Sequence, residues 1–324
     1  MKASSFAGLL PHLLFPFLVF LGGCCFGPSS PVIKLGYAAG FSPSDMVLSQ
    51  YVFGCLFMLI LSAVYFIISH VRKTKRQKVT YSVKDVILLI VIGVSIAMVS
   101  LTYMIALQTI PAHLAVILLF QYTWIGIIIE AVMKRKLPEI PTVISAVILI
   151  GATFLASGFG SISLAGIDGV GIFFGMLSAV FYALYIELIG KLNTGMSPVY
   201  RSLSSLAVAL AILLLIFTPY YFTPEFITGT VIDGGLWMFG LVIGSLGCAM
   251  PNFLFAIAVP KIPGELATIL SSSELPASII CAVIIISEAV TAMQWFGVVL
   301  LFFGIAFPYL AKASCFRKLL HPKA

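Results

Sequence analysis

The chain has 324 residues, of which 61% are hydrophobic and only 9% charged, with a mean hydropathy of +1.17. A soluble domain ordinarily carries about 25% charged residues, so this composition excludes one of any size. Its longest polar stretch runs only from His70 to Lys84. The net charge of +7 does not point to nucleic acid either, because the basic residues sit at helix ends without interleaved aromatics or an RNA-type module. The chain is read as an all-α polytopic membrane protein.

Apolar runs, prolines and charges together predict ten transmembrane helices, at about 12–36, 44–69, 85–107, 112–133, 141–158, 170–191, 198–219, 235–257, 264–286 and 292–311. The first continues past Gly22 and Gly23 without a clean cleavage site, and so reads as a span and not a removed signal peptide. Its stretch Gly22-Gly23-Cys24-Cys25-Phe26-Gly27-Pro28-Ser29-Ser30-Pro31 makes a thin, breakable helix, suited to a hinge and to close packing alike. The six cysteines (Cys24, Cys25, Cys55, Cys248, Cys281, Cys315) show no CxxC pair and read as small buried hydrophobes. The histidines His12, His70, His113 and His321 fall near helix ends or tails, so no metal site or cofactor is expected.

Charge then sets orientation. Arg72, Lys73, Lys75, Arg76, Lys78 and Lys84 lie between the second and third spans, and Lys134, Arg135 and Lys136 follow the fourth. Lys191 follows the sixth span, Lys261 the eighth, and Lys312, Arg317, Lys318 and Lys323 form the tail. With ten spans all of these, together with Lys2 and Arg201, fall on one face, and only Lys34 on the other. The positive-inside rule makes that face and both termini cytoplasmic, and the positive net charge without an organelle signal points to an inner or plasma membrane. Asp45, Asp168, Glu225, Asp233 and Glu288 fall on the opposite face.

The chain also repeats itself. Gly40-Phe-Ser-Pro43 followed by Leu48-Ser49 matches Gly195-Met-Ser-Pro198 followed by Leu203-Ser204, and Ile105 to Ala115 matches Ile257 to Ala267. This divides the chain into a first repeat over 1–158, a connection at 159–169, a second repeat over 170–311 and a basic tail at 312–324. Each repeat holds five spans. An odd number reverses the second repeat in the membrane, giving inverted repeats with a site expected near the midplane where they meet.

The sharpest candidate for that site is in the ninth span, at Ser271-Ser272-Ser273-Glu274-Leu275-Pro276. A mid-span carboxylate costs several kcal/mol unless it faces a watery cavity, meets a cation or takes up a proton. Glu274 is therefore expected to hold a substrate ammonium, with Ser271 beside it, or else to act only as interhelical glue. The repeat maps this centre onto Gln121-Tyr122-Thr123 in the fourth span, making Gln121 a hydrogen-bonding partner and Tyr122 an aromatic wall. Ser100 and its repeat counterpart Asn252, with Tyr103, point to the midplane from the third and eighth spans, and Pro251 frees a carbonyl beside Asn252. Tyr182 and Tyr185, one turn apart on the sixth span, are placed to stack on an amine. Glu187 and Lys191, and likewise Glu130 and Lys134, are spaced for helical ion pairs.

Two stretches carry a family likeness. Tyr103-x-x-Ala106-Leu107-x-x-Ile110-Pro111, with Ala115 after it, resembles the third and fourth helices of EamA-type transporters of the drug/metabolite transporter superfamily. Ala258-x-x-Lys261-Ile262-Pro263-x-x-x-Ala267, then Glu274, Ser287-Glu288-Ala289-Val290-Thr291-x-x-Gln294-x-x-Gly297 and Gly304 resemble that family's second repeat. Two departures stand out. Leu275 separates Glu274 from Pro276 where family members often have Glu-Pro, and the first repeat ends in Lys134 to Lys136 where a Gly-Glu pair is common.

The resemblance implies alternating-access export of an amino acid or related metabolite, in a lipid bilayer and without nucleic acid. The absence of mid-span Lys or Arg argues against a phosphate-bearing substrate, and a lone carboxylate fits a zwitterionic or cationic one, with proton coupling possible through Glu274. Two alternatives stay open: an importer of a quaternary amine such as choline, caged by Tyr103, Tyr122 and Tyr182, and a non-transporting sensor or assembly protein. Neither Gly-x-Ser-x-Gly nor His-Glu-x-x-His occurs, nor paired aspartates in facing spans, so no enzyme is expected. Sequence leaves the oligomeric state undetermined.

Overall fold

The computed structural model describes residues 3–71, 82–158, 168–192, 196–221, 223 and 226–320. Lys2, Arg72 to Lys78, the connection 159–167, Gly195, Glu225 and Lys323 lie outside the described residues. The first half comprises α1 (Ala3–Phe26), α2 (Ser29–Ala38), α3 (Pro43–Val71), α4 (Val83–Thr109), α5 (Ala112–Leu119), α6 (Tyr122–Lys134) and α7 (Ile140–Ala156). The second comprises α8 (Gly169–Lys191), α9 (Pro198–Tyr221), α10 (Leu236–Gly244), α11 (Met250–Ala258), α12 (Gly264–Ser271), α13 (Glu274–Ile286) and α14 (Ala292–Leu320). A π-helical turn, Ser245–Ala249, joins α10 to α11.

Among the described residues, nine helical stretches are long and apolar enough to cross a membrane. The tenth span is α7, whose 17 residues reach about 25 Å at 1.5 Å per residue. That is short of the roughly 30 Å hydrocarbon core by an amount that local thinning accommodates. The outer surface is apolar: Leu59, Ile60, Ile67, Val147, Phe173 and Val299 are all exposed. Serines and threonines are buried among the apolar core residues, at Ser95, Thr102, Thr153, Ser178, Ser202 and Thr268. In lipid an exposed Leu costs nothing, and small hydroxylated residues let helices approach closely while their hydroxyls return to backbone carbonyls.

The repeat is written into the backbone. Ile110 and its counterpart Ile262 both leave a helix in extended conformation, with φ −130° in each. Pro111 and Pro263 then start α5 and α12. Each of these eight-residue helices ends in a tightened turn bridged by short-range bonds. In the first half Gln121 N–H donates to Leu118 O at 3.2 Å and Thr123 N–H to Phe120 O at 3.3 Å; in the second Ser273 N–H donates to Leu270 O at 3.2 Å and Leu275 N–H to Ser272 O at 3.3 Å. At the far ends of α6 and α13, Arg135 (φ 52°) and Ser287 (φ 53°) make matching left-handed caps. The two caps coincide although their sequences differ, because the left-handed residue closes the last carbonyls whatever its side chain.

Packing obeys the same exchange of halves. α4 lies along α8 as α11 lies along α1; α4 meets α9 as α10 meets α3; α6 meets α8 as α12 and α13 meet α1. The pairs α7–α14 and α3–α9 each join a helix to its own counterpart. The fold is thus ten transmembrane helices in two inverted five-helix repeats, and its core is the seam between them. On the face opposite the basic one, the Lys34 amine meets Glu288 at 2.8 Å across that seam. Both groups are exposed, so the pair adds about 0–1 kcal/mol.

Candidate functional site

The break in the ninth span falls at Ser272-Ser273, before Glu274, and not at Pro276. Pro276 sits in the first turn of α13, where a missing N–H leaves no intrahelical bond unmade. The break makes Glu274 the first residue of α13, at the positive end of its dipole, a favourable place for a carboxylate inside a membrane. The three serines do not reach into open space. Ser271 and Ser272 hydroxyls donate to Thr268 O at 2.8 and 3.3 Å, and the Ser273 hydroxyl to Phe20 O on α1 at 2.7 Å. Their role is to hold the break and to bind it to α1.

Glu274 opens instead onto a cavity of about 100 Å³ at the seam. The Tyr182 hydroxyl donates to its Oε2 at 3.1 Å. Tyr182 lies 6.0 Å from Tyr185 in a stacked pair and 6.5 Å from Phe26 edge to face, which gives the cavity an aromatic wall contributed by α8 and α1. Across from it stand Tyr51 and Ser100, whose hydroxyl oxygens are 2.7 Å apart, with the Tyr51 hydroxyl also donating to Ile96 O at 3.2 Å. Gln50 Nε2 donates to Gly247 O at 2.8 Å, a carbonyl presented by the π-helical turn. None of the lining residues is Lys or Arg.

Of the sequence candidates, Glu274, Tyr182, Tyr185, Asn252 and Ser100 line this one cavity. Asn252 is held on all sides: Tyr185 donates to its Oδ1 at 2.7 Å, its Nδ2 donates to Cys248 O at 2.8 Å, and Ser202 donates to its backbone carbonyl at 3.0 Å. Tyr122 and Ser271 stand behind the wall, both fully buried. The Tyr122 ring packs edge to face on Tyr182 at 4.5 Å, and its hydroxyl donates to Ser272 Oγ at 3.3 Å and lies 3.2 Å from Ser271 Oγ. It therefore supports Tyr182 from the first repeat. Gln121 turns back on its own helix, donating to Ile117 O at 2.9 Å and accepting from Trp124 Nε1 at 2.8 Å. Tyr103 packs against Ala106 and Ile110 in a smaller apolar cluster and does not line the cavity, though it lies within electrostatic range of Glu274.

Among the lining groups, one amide and two aromatics went unread as site residues in the sequence: Gln50, Tyr51 and Phe26. Gln50 had a legible signal, a polar amide well inside an otherwise apolar span. Phe26 had none, because an aromatic in an apolar run looks the same whether it faces lipid or a cavity.

Removing the Tyr185 hydroxyl tests how far this network is structural. Tyr185→Phe leaves Asn252 Oδ1 buried without its donor, which costs about 1–3 kcal/mol. The expected result is a lower thermal unfolding midpoint of the purified protein in detergent; an unchanged midpoint would show that the bond contributes nothing to stability.

The family model described as the EamA-like transporter family matches the chain over residues 14–158 and 169–310. A crystal structure of a protein superposes with a TM-score of 0.67 at 15% identity, over 92% of this chain and 96% of that one, a likeness of fold alone. No curated protein matches the sequence.

Proposed function

Since the chain belongs to the EamA-like transporter family, of the drug/metabolite transporter superfamily, we propose that it moves a small zwitterionic or cationic, amine-bearing metabolite, such as an amino acid, by alternating access. The observation that carries this reading is Glu274, a carboxylate from the second repeat opening into a cavity between the repeats that has an aromatic wall and no basic residue. An ammonium group would replace part of the solvation the carboxylate lacks there, and the Tyr182, Tyr185 and Phe26 rings would face its alkyl or aromatic body. The cavity as it stands, about 100 Å³, holds a few waters, whereas small-molecule sites run to roughly 300–1,000 Å³. Binding thus requires the two halves to part, which is what rocking of inverted repeats accomplishes.

The basic face is taken as cytoplasmic, with both termini on it and transport in the direction of export. Charge asymmetry supports the orientation and family resemblance the direction. The test is flux in proteoliposomes with a labelled panel of neutral, basic and aromatic amino acids and choline, loaded from either side. Saturable flux of an amine-bearing amino acid is the expected result. The aromatic wall also favours a second reading, import of a quaternary amine held by cation–π contact, which choline flux would reveal. No flux of any compound would move the assignment to a non-transporting sensor or assembly role.

A further inference from the structure

A second acidic site lies near the basic face, away from the cavity. Glu130 on α6, only 4% exposed, accepts from the Gly264 N–H at 3.0 Å and from the Glu265 N–H, and it is ion-paired with Lys134. It thus caps α12 of the opposite repeat, satisfying donors that have no partner within their own helix. Glu187 on α8 comes to the same spot. A side chain at Gly264 would meet both of its carboxyl oxygens, at 2.6 and 2.7 Å, and so would displace the carboxyl from this position.

Glu187 is 5% exposed, and its Oε1 has no hydrogen-bond partner. The ion pair that spacing predicted between Glu187 and Lys191 does not form; the Lys191 amine lies 3.2 Å from Met133 Sδ instead, because burial turns the carboxyl inward while the amine reaches outward. Two buried carboxylates therefore crowd the first turn of one helix, and one of them holds all the donors. The charged groups acting on Glu187 are Glu130, Lys134, Lys191 and Glu265. Among its other neighbours, α5 and α11 carry no Asp, Glu, Lys or Arg. α4 carries only Lys84 and Asp85, the latter closing its own capping box, and the turn before α12 carries Lys261.

We propose that Glu187 is a proton-binding site on the basic face, neutral while Glu130 caps α12, and that release of its proton parts the two repeats there. The geometry points to a neutral occupant: an ionised Glu187 would keep a buried Oε1 with no donor beside the carboxylate that Lys134 pairs, at a cost that grows steeply with burial. The proton comes from the solution on the basic face and returns to it. Parting would free the Gly264 and Glu265 amides and relieve the repulsion, so protonation would act directly on the seam that transport must open. This consequence rests on the transport reading, but its test needs no flux.

The test is hydrogen exchange of the 264–271 segment in the full-length protein in nanodiscs, across pH and corrected for intrinsic rates. Protection in the wild type should fall on raising pH by about tenfold or more, whereas Glu187→Gln, which mimics the neutral acid, should keep its protection throughout. Gly264→Ala, whose methyl displaces the Glu187 carboxyl, should also abolish the pH response, and it decides the matter if the first variant does not fold. In infrared spectra the protonated-carboxyl stretch assigned to this site should vanish in Glu187→Gln and survive in Glu274→Gln. Identical pH dependence in wild type and variants, or that stretch persisting in Glu187→Gln, would overturn the proposal. So would a change in protection on exchanging potassium for sodium at fixed pH, which would make the occupant a metal cation.

Discussion

Glu274→Gln is expected to reduce saturable flux of an amine-bearing compound by about a hundredfold or more, while leaving the protein folded. Glutamine keeps the side chain's length and its acceptor for the Tyr182 hydroxyl, which donates at 3.1 Å, so the local packing survives. It removes the negative charge that would hold a substrate ammonium. Truncating one partner of a buried charge pair costs about 2–5 kcal/mol, and each 1.4 kcal/mol is tenfold, which sets the magnitude. The measurement is proteoliposome uptake with wild type and variant side by side, with and without a pH gradient. Wild-type flux driven by the gradient, together with a variant that only exchanges label, would make Glu274 the proton carrier as well. A variant that transports like wild type would reduce Glu274 to interhelical glue and shift the site towards Tyr182, Asn252 and Tyr51.

How much of this was legible in sequence follows from what each signal depends on. The ten spans and the two inverted repeats could be read because they rest on the local pattern of apolar runs and on motifs at matched spacing. Glu274 stood out for a similar reason: a lone carboxylate mid-span has few explanations. The neighbours of Glu274 were another matter. Tyr122 corresponds to Glu274 in the repeat, yet it faces Tyr182 and two serine hydroxyls and leaves the cavity to its counterpart. Symmetry of backbone therefore carried over while symmetry of side-chain role did so only in part: the counterparts Ser100 and Asn252 both line the cavity, whereas of Tyr122 and Glu274 only Glu274 does. The position of the break could not be read from Pro276, which sits in the first turn of α13 and leaves no helical bond unmade there. The crowding of Glu130 and Glu187 on Gly264 depends on three separate helices, and nothing local in any of them announces it. The charges of Glu130 and Lys134 pair as spacing predicts, whereas for Glu187 the tertiary fold overrides the same spacing rule.

The largest effect on the fold itself is expected at the glycines at the end of α1 and just beyond it. Gly23 and Gly27 are one helical turn apart and face the broken ninth span. A Cβ at Gly23 would clash with Ser273 Oγ and meet the Ser271 carbonyl oxygen at 2.8 Å, and one at Gly27 would meet the Ala277 carbonyl carbon at 2.8 Å. Two of these obstacles are backbone, which cannot rotate away, so the side chain must push α1 from α12 and α13. Gly27→Val should therefore destabilise by about 1–3 kcal/mol from overpacking, and Gly23→Val similarly, seen as a lowered unfolding midpoint in detergent. Gly151 supplies the comparison, since nothing lies within 4 Å of a Cβ there. Gly151→Ala should be neutral or raise stability by up to about 1 kcal/mol, the ordinary helix preference for alanine. The same substitutions separate close packing from hinge action at Gly27-Pro28, where α1 gives way to α2. If Gly27→Val lowers the unfolding midpoint and the flux together, close approach of α1 to the break is what the glycines provide. If the midpoint holds and flux alone disappears, their contribution is motion, and the seam must open by bending α1 where Phe26 borders the cavity.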